Sequence, residues 1–108
     1  MKIHENQNLF DEKQEEFTLE LVRTIKRTLE LQGLDDQAVY DLTGSLSFNI
    51  AALIDGSATS GELNNPTVSY LAFREKQESL DSIITSPIGS YIHEISEGVV
   101  DNEFESYS

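Results

Sequence analysis

Cysteine and tryptophan are absent from this 108-residue chain, and methionine occurs once, at position 1. Without thiols there are no disulfides, no thiolate metal sites and no cysteine nucleophile. Small exported domains commonly need such staples, so the composition points to a reducing cytoplasm. Bases are scarce as well: seven Lys and Arg face 20 Asp and Glu, a formal net charge of −13. A surface of that sign repels phosphate backbones and anionic lipid, which sets nucleic acid and membrane aside as partners and favours a basic protein. No apolar run approaches the ~18 residues that a membrane span requires. The opening stretch MKIHENQNLFDEKQEEF has no apolar core of a signal peptide, so a soluble, unexported protein is expected.

What is present suffices for one core. Apolar residues make up 38% of the chain and aromatics 8%, spread along its length. A chain of this size is one domain, residues 1–108, and buries roughly two-thirds of the surface its unfolded form exposes. The charge is unevenly placed. The last base is Lys76, and from Gln77 onward seven acids follow (Glu78, Asp81, Glu94, Glu97, Asp101, Glu103, Glu105).

Residues 1–10 read as a loose polar arm. Asp11 with Gln14 resembles a capping box, and the helix after it carries Phe17, Leu21, Ile25 and Leu29 at four-residue spacing, with Val22 beside them. Acids crowd its first half and Arg23, Lys26 and Arg27 its second, the order that the helix dipole favours. Gly33 ends it. A second helix follows with Asp35 as N-cap and Leu34 and Val39 as a hydrophobic staple. Val39, Leu42, Leu46, Ile50, Leu53 and Ile54 keep helical spacing up to Gly56. The short turn between the two predicts an αα-hairpin. Gly44, Ser47 and Ala51 form a small-residue stripe where another backbone can approach closely.

TVSYLAFR (67–74) and LDSIIT (80–85) have strand composition and are separated by EKQES, a hairpin loop. Ser86-Pro87 reads as N-cap and first residue of a third helix with Ile88, Tyr91, Ile92, Ile95 and Val99 as its apolar side; a start at Ser90 is the alternative. Residues 102–108 read as an acidic tail. The predicted architecture is therefore α+β, in the order α-α-β-β-α: an αα-hairpin, a β-hairpin and a C-terminal helix. A two-stranded hairpin is marginal alone, so it must pack on the helices or pair an edge with a second copy, which favours a homodimer.

Few stretches carry chemistry. In IDGSATSGELNNP, aligning Asp55 with the first position of a calcium loop puts Ser60 where glycine is required and Pro66 where a bidentate glutamate is required. The glycines follow a helix rather than precede one, which is wrong for a phosphate loop. Helix termination and turn formation explain them, although a loop over 56–65 is longer than geometry requires and suits a functional surface. In YIHEISEG, His93 and Glu97 stand at i, i+4 and can reach one metal from one helical face, with Glu94 where the general base of an H-E-x-x-H site stands. The second histidine of that signature is missing, and His4 is the only other one. GSLSF lacks the second glycine of a nucleophile elbow. The acidic side of the third helix, Glu94, Glu97 and Asp101, is the candidate partner-binding face. The expected function is that of a small, non-enzymatic interaction or regulatory protein that recognises a basic protein and needs no cofactor. The alternatives are a small metal-dependent hydrolase centred on His93, Glu94 and Glu97, or a small-ligand-binding module.

Overall fold

The structure, a computed structural model, describes residues 2–56, 70–75 and 82–105. In chain order these form β1 (Lys2–Glu5), α1 (Gln7–Glu30), α2 (Asp36–Ile54), β2 (Ser82–Thr85) and α3 (Ile92–Glu103). The fold is mixed helix and strand, with the three helices packed on one another beside a two-stranded sheet. Among the described residues, no helix is long and apolar enough to cross a membrane.

The start of the chain departs from its expected disorder. Lys2–Glu5 pairs in parallel with Ser82–Thr85, in the register Ile3 with Ile83 and His4 with Ile84. Asn6 then caps α1, its side chain accepting from the Leu9 N–H at 3.1 Å. The helix thus begins five residues earlier than the Asp11-Gln14 pattern suggests. Asp11 is freed for other work: it accepts from Gln7 at 2.7 Å, from Gln14 at 3.1 Å and from the Tyr91 hydroxyl at 2.7 Å. Gly33, at φ +76°, supplies the left-handed residue after α1. Asp35 caps α2 as expected, accepting from the Ala38 N–H at 2.8 Å.

No hairpin of strands forms among the described residues; the sheet is the parallel β1–β2 pair. What survives of the expected antiparallel pairing is one bridge, in which Phe73 and Ile84 exchange backbone hydrogen bonds of 3.0 and 2.7 Å. Ile84 therefore lies between His4 on one side and Phe73 on the other. Phe73 reaches α1, its ring centroid 5.3 Å from Phe10 and 6.1 Å from Phe17. The rest of the expected hairpin, 67–69 and 76–81, and residues 57–66 of the long loop lie outside the described residues.

SPIGS does not begin the third helix. Ser, Pro and Gly occupy the positions they favour in a type I turn, closed by the Gly89 N–H on the Ser86 carbonyl at 3.1 Å. Gly89 leaves that turn at φ +77°, and α3 starts at Ile92. Its far end is not a frayed tail at 102: α3 runs to Glu103, and Phe104 beyond it is buried against Val22, Val39 and Val100.

The largest departure is in which helix faces are buried. In α1 these are Phe10, Gln14, Thr18 and Val22; in α2, Val39, Thr43, Ser47, Ala51 and Ala52; in α3, Ile92, Ser96 and Val100. Apolar groups hold the two ends of the bundle and small polar ones its middle. Thr18 and Ser96 satisfy their hydroxyls on carbonyls of their own helices, Gln14 at 2.7 Å and His93 at 3.2 Å. Thr43 and Ser47 find no partner among the described residues. The larger side chains Leu42, Leu46 and Leu53, expected in the core, are exposed, and Ile88 is 75% exposed.

Candidate functional site

The ends of α2 and α3 meet at one carboxylate. Asp55 follows the last residue of α2, and its side chain is 1% exposed. Its oxygens accept from the Ser90 hydroxyl at 2.5 Å, from the His93 backbone N–H at 2.7 Å and from His93 Nδ1 at 2.5 Å. No side chain next to α3 in sequence caps it, so Asp55 does that work from another helix. It brings an anion to the N–H groups that every helix start leaves unpaired. Burial alone would push the Asp55 carboxyl up; the His93 N–H, the Ser90 hydroxyl, the His93 ring and the Ile92 N–H together hold it below its ordinary value. Because an ionised carboxylate only accepts, the short contact requires a proton on Nδ1 of the His93 ring.

Alongside this junction, α2 and α3 enclose a groove of about 430 Å³. Gly44, Ser45, Phe48, Asn49, Ser96 and Val100 form much of its wall, and Asp41, Glu97 and Asp101 contribute three carboxylates; among the described residues, neither lysine nor arginine lines it. Tyr40 bridges the helices there. Its hydroxyl donates to Asp101 at 2.8 Å and its ring meets Phe104 edge-on at 5.3 Å. The hydrogen bond to Asp101, with the charges of Asp101, Asp41 and Glu97, raises the Tyr40 hydroxyl above its ordinary pKa. Phe48 lines the groove 48% exposed and turns its ring edge-on to His93 at 6.0 Å.

Of the residues singled out from sequence, Glu97 and Asp101 border the groove, whereas Glu94 is exposed in the first turn of α3 and does not line it. His93 is held by Asp55 rather than by Glu97. Among the described residues, no group of three or more histidine and carboxylate side chains is placed to hold a metal ion. Sequence reading missed Tyr40, Asp41, Phe48 and the catch formed by Asp55. Asp41 lies one position from the expected apolar stripe and Phe48 two positions after Leu46, so their approach to α3 depends on how α2 is rotated.

Gly44 does not serve a close backbone approach. A Cβ built there meets nothing within 4 Å; the residue leaves the groove wall low. Gly44→Ala should therefore stabilise α2 by about 0.5–1 kcal/mol through helix propensity. The check is thermal unfolding, where the variant melts above wild type.

The basic cluster of α1 has a structural task. Arg23 reaches Glu103 at 3.1 Å, and Lys26 donates to the Glu103 carbonyl at 3.0 Å while lying 4.7 Å over the Phe104 ring. Both cations sit at the C-terminal end of α3, where the helix dipole and open carbonyls favour them. The Arg23 guanidinium is raised further above its ordinary pKa by the hydrogen bond to Glu103. Acidity at the groove and basicity at the tip of α3 are thereby kept apart. Compared with family models, with curated proteins and with solved structures, the chain matches none of them.

Proposed function

We propose that the protein is a non-enzymatic interaction or regulatory module of the cytoplasm, acting as a homodimer, that seats a basic segment of a partner protein in the groove between α2 and α3. The observation that carries this reading is the groove's lining: Asp41, Glu97 and Asp101 around Phe48, Val100 and the Tyr40 ring, with no base among the described residues that line it. Such a lining suits a segment that offers lysine or arginine next to an apolar side chain. The cation gains from the carboxylates and from the aromatic faces, and the apolar neighbour covers Phe48 and Val100. The chain's net charge of −13 supports fast, salt-dependent encounter with such a partner.

The test is co-purification from the source cells at low salt, comparing wild type with the triple variant Asp41→Asn, Glu97→Gln, Asp101→Asn. The reading predicts a basic protein captured by wild type, released by added salt, and lost with the triple variant. Capture that survives the triple variant unchanged rules the groove out. Including Glu94→Gln as a separate variant separates the groove from the broader acidic side of α3; it should cost little.

A second reading has one observation in its favour. Asp55 holds His93 through a proton on Nδ1, and a carboxylate on one ring nitrogen is the arrangement that orients a general base or a metal-ligating imidazole. A small hydrolase built on His93, with Glu94 and Glu97 beside it, would lose all activity on His93→Ala. Partner capture in the groove should survive that change, so the same variant separates the two readings.

A further inference from the structure

We infer that the homodimer, which is part of the reading above, is formed by α2 packing on α2 of a second copy along Leu42, Leu46, Asn49 and Leu53. These four positions are spaced by four, three and four residues, the spacing of a coiled-coil seam. They differ from the buried face of the same helix, Val39, Thr43, Ser47 and Ala51, which keeps a uniform spacing of four and packs inside the protein. α2 therefore carries, besides its buried face, an apolar face that is unpartnered among the described residues, with Asn49 at its edge also lining the groove. Leu42, Leu46 and Leu53 are 41%, 39% and 57% exposed, and Asn49 is exposed between them.

Charge selects the occupant. Residues 42–54 hold no charged side chain, in a chain with 20 acids. Asp55, the next acid, is buried on Ser90 and His93. Apart from Asn49, which borders the groove, a basic partner finds nothing on this face to pair with, whereas two copies of so acidic a protein meet at least cost where acids are missing. A two-fold axis beside Asn49 brings the two amides together, each able to donate to the other, with Leu46 and Leu53 on either side. A single polar residue in an apolar seam sets register at a cost in affinity.

The experiment is light scattering on the full chain over a range of concentrations. Wild type should reach twice its 12.1 kDa chain mass. Leu46→Glu and Leu53→Glu should each weaken association by at least about 30-fold, the scale of a central hot spot, while circular dichroism keeps its helix signal. Leu53 is the more exposed of the two, so its variant holds the test if Leu46→Glu fails to fold. Asn49→Leu should tighten association. Ile88→Glu, an equally apolar and more exposed position elsewhere, should leave the dimer intact. A monomer mass for wild type at every concentration overturns both the dimer and its seam. A dimer that survives Leu46→Glu and Leu53→Glu, or that Ile88→Glu dissolves equally well, keeps the dimer and overturns the seam.

Discussion

Asp55→Ala should melt about 10–20 °C below wild type, corresponding to a loss of about 2–4 kcal/mol. The carboxylate is 1% exposed and accepts from the Ser90 hydroxyl, the His93 N–H and the His93 ring. Removing it leaves the start of α3 without the acceptor that satisfies it, and an unpaired buried donor costs more than a hydrogen bond gains. Asp55→Asn should fall between, since the amide oxygen can still accept from the helix while the charge is lost. His93→Ala should cost less than Asp55→Ala, because the backbone N–H groups of α3 keep their cap. Acid has a matching effect. The folded Asp55 carboxyl lies below its ordinary value, near 3.8. Its contribution is therefore present above the unfolded pKa and is lost as pH falls through the folded one. Wild type should lose stability on acidification below about pH 4, and Asp55→Asn should show a smaller loss over the same window. Equal acid slopes for the two proteins would place the titration elsewhere.

The second large effect has the opposite sign. Thr43→Val and Ser47→Ala should each raise stability by about 1–2 kcal/mol. Both hydroxyls are fully buried and have no hydrogen-bond partner among the described residues. Valine has the shape of threonine without the polar atom, so it removes an unmet desolvation cost and leaves the packing in place. Ser47→Ala opens a small gap and gains helix propensity. The two sites are one helical turn apart, so the double variant need not show the sum. Denaturant unfolding of both single variants decides the matter: a lower midpoint than wild type in either would show that the hydroxyl supports the fold.

How much of this is legible in the sequence depends on the range of the interaction. The limits of α2 are readable because Asp35 and Gly56 act within a few residues of themselves: Asp35 accepts from Ala38, and Gly56 turns at φ +77° with its N–H on the Leu53 carbonyl. β1 is not readable. KIHE is four residues long and exposed throughout, and the strand that orders it lies at 82–85. The catch at Asp55 is hidden for the same reason, since its partners Ser90 and His93 are 35 and 38 residues away. Apolar periodicity misleads on the core. In α2 it selects Leu42, Leu46 and Leu53, whereas the bundle buries Thr43, Ser47 and Ala51, small residues that suit close helix packing. The same rotation brings Asp41 and Phe48 to α3 and makes the groove. Glu97 and Asp101 are legible as one acidic side of a helix; that they face Asp41 and Tyr40 across a groove is a tertiary fact.

The most direct test of the central claim is an amide NMR titration of this 108-residue chain with a short peptide that alternates lysine with leucine. Binding in the groove predicts shifts confined to its wall, at Gly44, Phe48, Glu97 and Asp101, reversed by salt and absent in the triple variant. Shifts spread with equal size over the acids of α1, such as Glu12, Glu16 and Glu20, would show attraction to net negative charge alone and contradict the account.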